Sequence, residues 1–301
     1  MHTKYTIFGW CLLLLTGCKE ETNYDTIYYD QVRKIKITNN ISVDNVARLK
    51  DPNLNLINYN NFLKYLVSSD RFLIVTQRDF EKTNSSEKVI ISLRYDVDDE
   101  INNAIKFAFL ENKYGIRSTY YILHTADYYG KTSFNYVRRN ESVKFYLQKI
   151  QNEFHQEIGW HNDLVTLQVV YNIDSKNYLH AELEWLRKNS IQVFGTAAHG
   201  SNYCYEYHYK NHYFWNHHKC NKNDFFYNYE YVPKGKTLML IQKDELNSYN
   251  LEYDGDTFLT DYFFADCNLV DGKRWHMGMV NFDTIPLGKK VIILLHPQHW
   301  N

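Results

Sequence analysis

The chain has few prolines (4) and almost no net charge, with 34 Lys+Arg against 35 Asp+Glu. Without a basic excess it lacks the electrostatic footprint of a nucleic-acid-binding protein, and there is no acidic tail. The N-terminal apolar run, Ile7 to Leu15, falls well short of the roughly 20 residues that cross a bilayer. Internal repeats and low-complexity tracts are missing, which excludes solenoids and repeat arrays. Aromatic residues are plentiful, with Tyr 27 and Phe 17. Such an excess builds either a thick core or a surface that stacks on sugar rings, and composition leaves both open. A length of 301 residues at 44% hydrophobic suits one large domain, with or without an extension.

The opening segment "MHTKYTIFGWCLLLLTGC" sets Lys4 before the apolar run and ends on Leu15-Thr16-Gly17-Cys18. A short apolar run closing on small residues before a cysteine resembles the lipobox of bacterial lipoproteins. The resemblance implies a signal peptide over 1–17, cleavage before Cys18 and lipid on that cysteine. That lipid would tether the remaining chain to a membrane face of the cell envelope. Of the later cysteines, Cys204 and Cys220 are candidates for a disulfide in an exported protein, with Cys267 left over.

Residues 18–58 read as a polar tether and irregular lead-in. "NYNNFLKYLVSSD" then places Phe62, Leu63, Leu66 and Val67 on one helical face, and "RFLIV" reads as a short strand. From Lys88 strands and helices alternate. "KVIISLRYD" is a strand. "EINNAIKFAFLENKYG" is a helix with Ile101, Ile105, Ala108 and Phe109 inward and Gly115 as its C-cap. "IRSTYYIL", "QEIGWH" and "IQVFGTAAHG" are further strands, separated by the helices "ESVKFYLQKIQNEF" and "SKNYLHAELEWLRKNS". "TLMLIQ", "TDYFFADC" and "KKVIILLHPQ" are later strand candidates. This alternation predicts an α/β fold built of βαβ units around a parallel sheet.

In parallel α/β folds ligands gather at the carboxyl ends of the strands. Asp96 and Asp98, His161, His199 and His296 all fall at such ends. The cluster "YDVDD" is electrostatically unfavourable unless a proton or cation sits among its carboxylates. A divalent cation held by carboxylate and imidazole supplies that countercharge. Singly, each residue also suits a bland role: Asp98 or Asp99 as the cap of the next helix, each His as a hydrogen-bonded structural residue.

In this order, "LRYDVDD", "RSTYYIL", "EIGWH" and "VIILLHPQHW" resemble the NodB-homology polysaccharide deacetylases. The likeness is nearest to a branch whose first motif reads Arg-His-Asp-Val-Asp, and it covers roughly 59 to 301. It implies a distorted (β/α) barrel of about seven strands. It also implies removal of acetyl groups from N-acetylated polysaccharide or oligosaccharide with one divalent metal ion, here expected to be zinc. Carried over, Asp96 is the base, Asp98 and His161 are metal ligands, and His296 is the acid that protonates the leaving amine.

The chain departs from that pattern twice. The second motif has a further histidine four residues on, where this chain has Val165, which cannot bind metal. Either His199 or Asp163 can complete the site, with His199 preferred because it ends the next strand. The arginine that orients the base in the third motif has no counterpart in "FGTAAHG". These departures keep a second function open: a catalytically inactive barrel that binds glycan or a partner protein in the envelope.

The stretch from about 201 to 235 reads as an insertion dense in Tyr, His and Asn. It reads either as a surface loop or lid over the rim, with Tyr205, Tyr207, Tyr209 and Trp215 as candidates for sugar contact, or as a plain structural insertion. His208 and His212, four apart, would share a face if that segment were helical and could there bind a second metal, although no recognised finger spacing is present.

Overall fold

The computed structural model describes residues 52–218, 231–234, 237–270 and 272–300. The signal peptide, Cys18, the tether up to residue 51 and Cys220 lie outside them. Elements run in chain order as α1 (Leu56–Ser68), β1 (Phe72–Val75), α2 (Gln77–Phe80), β2 (Val89–Val97), α3 (Ile101–Lys113) and β3 (Thr119–Leu123). A hairpin follows, β4 (Gly130–Ser133) and β5 (Tyr136–Arg139), then α4 (Val143–Gln148), which runs on into a π turn over Lys149–Glu153. Next come β6 (Glu157–Asn162), α5 (Leu164–Val169), α6 (Ser175–Lys188), β7 (Val193–Ala198) and α7 (Asn202–Tyr207). The last part holds β8 (Tyr231–Lys234), β9 (Thr237–Leu240), β10 (Tyr253–Asp254), β11 (Tyr262–Ala265), β12 (Leu269–Val270), β13 (Lys273–Arg274) and β14 (Lys290–Leu295).

β2 sets the frame, because all of its residues are buried. Side chains alternate across a strand, so a strand buried on both faces reads as an unbroken apolar run and belongs in a parallel sheet. The sheet runs β10-β7-β6-β3-β2-β14-β11 with every pair parallel. β1 pairs with Val89–Ser92 and β3 with Arg94–Val97, so these two short strands follow one another along the same side of β2, opposite β14.

The two faces of β2 feed two cores. Val89, Ile91, Leu93, Tyr95 and Val97 pack outward into the large cluster beneath the helices. Ile90 packs inward with Phe80, Tyr121, Ala197, Tyr253, Phe258 and Ile292. That inner set draws residues from β10 and β7 at one end of the sheet and from β14 near the other. The sheet therefore curls around its own inner face as a distorted, open (β/α) barrel. Glycines make room for the filling: a Cβ on Gly159 would sit 2.3 Å from the Tyr121 ring, and one on Gly195 1.9 Å from the Tyr253 ring.

Helices cover the outer face. α6 carries matched end signals: Asp174 accepts from Asn177 N at its start, and Arg187 and Lys188 lie in its last turn. Gly115 ends α3 at φ +65°, the left-handed conformation expected of it. The buried face of α3 is Ile101, Ala104, Phe107, Ala108 and Glu111. It is rotated from the expected one, and Phe109 is 55% exposed. Likewise α1 buries Tyr59 with Phe62, Leu63 and Leu66, while Val67 faces out. Among the described residues no helix is long and apolar enough to cross a membrane.

The expected strand "TLMLIQ" is present as β9 but lies apart from the main sheet, paired antiparallel with β8 alone. The edge beside β7 goes instead to β10, a two-residue strand (Tyr253–Asp254) that has no apolar run to announce it. The described part of the insertion is packed rather than loop-like. Cys204, Tyr209, Tyr213, Phe214 and Trp215 are all buried in the main core.

Candidate active site

The inner face of β2 changes character along its length. Ile90 is apolar; Ser92 accepts a hydrogen bond from Gln77 Nε2 of α2 at 2.9 Å; then come Arg94, Asp96 and Asp98. The same alternation places His296 beyond Ile292 and Leu294 of β14, His161 beyond Gly159 of β6, and His199 beyond Ala197 of β7. Parallel pairing in register carries these side chains to one rim above the inner core.

There Asp98, His161 and His199 offer three ligand atoms that all lie within 4.8 Å of one another. His161 Nε2 is 3.2 Å and His199 Nε2 3.8 Å from Asp98 Oδ1. The other nitrogen of His161, Nδ1, lies 3.0 Å from the carbonyl of Ala197. A carbonyl only accepts, so Nδ1 carries a hydrogen and Nε2 is the ring nitrogen turned towards the carboxylate. Asp98 Oδ1 is buried without a hydrogen-bond partner. Lone pairs in that arrangement repel unless a proton or a cation lies between them, and two imidazoles with one carboxylate form a zinc-type donor set. The three residues therefore fit a divalent metal, and a backbone carbonyl orients one ligand as metal-site histidines require.

Asp163 sits behind His199 rather than beside Asp98. Its Oδ1 is 3.5 Å from His199 Nδ1. It accepts from Thr125 Oγ1 at 2.6 Å, from Asn211 Nδ2 at 2.7 Å and from the Thr166 hydroxyl. Burial pushes the His199 imidazolium down, but Asp98 and Asp163 outweigh it and lift its pKa to about 9. Val165 is buried in the core on α5, with its N–H donated to Asn211 Oδ1, and takes no part in the rim. Neither Asp98 nor Asp99 caps α3, whose N-cap residue Glu100 makes no side-chain cap bond.

Asp96 is gripped by an arginine after all. Arg94 Nε and Nη2 donate to Asp96 Oδ1 and Oδ2 at 2.8 and 2.9 Å, a bidentate fork buried in the barrel. Burial pushes the Asp96 carboxyl up, but Arg94 and His161 more than reverse it, holding the group below the ordinary range. The family resemblance implies such an arginine on β7, in "FGTAAHG", where none stands. Arg94 lies two residues before its partner, a spacing that puts both on one face of one strand. Arg94 Nη1 also donates to Asp256 Oδ1 at 3.0 Å, and Asp256 Oδ2 accepts from Ala198 N at 2.6 Å, next to His199.

His296 is oriented in turn by Asp266, at the end of β11. His296 Nδ1 lies 2.6 Å from Asp266 Oδ1, and its Nε2 points into the rim, 3.9 Å from Asp98 Oδ2. Asp266 also accepts from His296 N at 2.8 Å and from Trp300 Nε1 at 2.9 Å. Burial pushes the His296 imidazolium down, and Asp266 overrides it to bring the pKa to about 9. Sequence reasoning gave Asp266 no role, although "YFFADC" was read as a strand and the residue stands at its carboxyl end.

The expected sugar-contact residues are not brought together. Tyr209 and Trp215 are buried at 0% and 1% exposure, and Tyr209 donates to Thr166 Oγ1 at 2.8 Å. These two are core residues, because the segment that carries them packs down against α5. Tyr205 and Tyr207 are half-buried against the same core. His208 and His212 share no helix: α7 stops at Tyr207, and His208 caps it at φ +57°. Cys204 is a buried thiol that points towards the carbonyl of His199.

A scan against protein-family models finds no match, and a comparison with curated proteins finds none. Among solved structures the chain is similar to a family 4 carbohydrate esterase from Bacillus anthracis, with 12% identity, a TM-score of 0.33, and coverage of 79% of this chain and 77% of that one. At that level only this chain's own side chains speak to its chemistry.

Proposed function

We propose that the chain is a metal-dependent hydrolase that removes N-acetyl groups from a polysaccharide or oligosaccharide. The reading is carried by one observation: the Asp98, His161 and His199 ligand atoms converge, with the Arg94-held Asp96 on one side and the Asp266-held His296 on the other. Zinc is the ion this donor set suits best. When bound there it would polarise an amide carbonyl and make a neighbouring water more acidic.

The remaining work falls to the chain's own groups. Asp96 stays ionised beside Arg94 and takes the proton of the attacking water. Its Oδ2 lies 3.6 Å from His161 Nε2, at the edge of the ligand cluster. His296 enters the reaction as an imidazolium and gives its Nε2 proton to the departing nitrogen, since an amine leaves poorly unless protonated. Asp266 fixes the ring through Nδ1, so that Nε2 alone faces the rim. Lipid on Cys18 would hold this machinery at a membrane face of the envelope, within reach of surface or periplasmic glycan.

Release of acetate from N-acetylated oligosaccharides by the zinc-loaded protein tests the reading, and metal-bound protein without any acetate release would leave a glycan-binding role instead. A second measurement separates Asp266 from a merely structural residue. Its charge favours the protonated His296, so Asp266→Asn should move the alkaline limb of the rate profile about 1–3 pH units lower. An unmoved limb would remove Asp266 from the proton chemistry.

A further inference from the structure

We propose that His217, His218 and Asp254 form a second binding site for a divalent transition-metal ion of the zinc class, separate from the rim centre. Asp254 is the last residue of β10 and is 3% exposed. A single oxygen of its carboxylate, Oδ2, lies 2.8 Å from His218 Nε2 and 3.2 Å from His217 Nε2. The three residues each place a ligand atom within 4.8 Å of the others.

Neighbouring residues in an extended chain point to opposite sides. Here the bend after the 3-10 turn at Asn211–Phe214 turns both imidazoles to the same side, with ring centroids 4.4 Å apart. His212 stacks on His218 at 4.3 Å and holds its plane. Two imidazoles and one carboxylate form a borderline-soft set, which favours zinc and its neighbours over magnesium or calcium. His217 is the most exposed of the three and leaves a route from solvent.

The second oxygen of Asp254 ties this site to the first. Asp254 Oδ1 accepts from Asp256 N at 3.0 Å, and Asp256 accepts from both Arg94 and Ala198. Metal here would clamp residues 211–218 onto the end of β10. It would also steady the carboxylate that holds Arg94 against Asp96. The two sites share no ligand, so each can be lost without the other.

Metal content and calorimetric zinc titration of the tag-free, full mature chain test the proposal. With both centres filled, about two equivalents of zinc per chain are expected, falling to about one in His217→Ala/His218→Ala. The exposed His217→Gln, which leaves the core untouched, should by itself weaken the second binding event. Equal zinc content and equal isotherms in wild type and both variants would overturn the proposal. Asp98→Asn separates the two readings. If it keeps the wild-type zinc content while the histidine variants lose an equivalent, the rim centre fails and this site stands.

Discussion

Asp98→Asn should strip zinc from the rim and lower acetate release by about a thousandfold or more, the scale of several kcal/mol of lost transition-state stabilisation. The change is nearly isosteric, so packing is preserved and charge is what goes. Asp98 Oδ1 is the atom on which His161 and His199 converge. An amide there offers either a neutral oxygen or a hydrogen-bearing nitrogen, and neither balances a dication. Arg94 and Asp96 remain paired in the variant, since their fork does not pass through Asp98. The loss should therefore appear in zinc content, by elemental analysis, and in initial rate together. A variant that keeps both would rule out Asp98 as a ligand and with it the proposed chemistry.

The largest expected loss of stability lies on the opposite face of β2. Glu111 of α3 is wholly buried and accepts four hydroxyl hydrogen bonds. Tyr59 and Tyr95 donate to Oε1 at 2.7 and 2.8 Å, and Ser118 and Tyr120 to Oε2 at 2.5 and 2.6 Å. One carboxylate thus joins α1, α3, β2 and the start of β3, while the Tyr95 and Tyr120 rings stack at 4.4 Å. Burial pushes the Glu111 carboxyl up, and the four hydroxyls pull it back without cancelling the effect. Glu111→Ala leaves those hydroxyls without an acceptor inside a dry core. Breaking such a network costs about 3–5 kcal/mol. For a domain of this size that corresponds to a melting temperature roughly 10 °C lower. Glu111→Gln keeps the shape and one acceptor, and should lose less. Chemical denaturation measures both, and an alanine variant within 1 kcal/mol of wild type, about the cost of one ordinary hydrogen bond, would show that the hydroxyls find other partners.

These two residues show what the sequence could and could not disclose. Asp96 and Asp98 were legible because an apolar run feeding straight into carboxylates has few physical explanations. His161, His199 and His296 were legible as strand ends. Arg94 was available by simple alternation, but the third motif of the resembled family carries its arginine on a different strand. Asp266 carried the same strand-end signal as those histidines, but its meeting with His296 depends on β11 pairing with β14 in one register, Ala265 against Leu294. Glu111 was hidden for a similar reason. Nothing local says that a helical glutamate will meet tyrosines from three other elements. The aromatic insertion failed differently, since a tyrosine-rich stretch has the same composition whether its rings face a ligand or, as with Tyr209, the core.

The inner filling of the barrel has a kinetic corollary. Phe80, Ile90, Tyr121, Tyr253, Phe258 and Ile292 close the space beneath Arg94 and Asp96, each no more than 8% exposed. That packing closes the barrel beneath the rim, so whatever binds at the rim enters and leaves on the same side. Trimmed glycan should then act as a competitive inhibitor in initial-rate experiments, raising KM with kcat unchanged. A purely noncompetitive pattern would mean that the trimmed glycan leaves before acetate and so does not compete for the free enzyme.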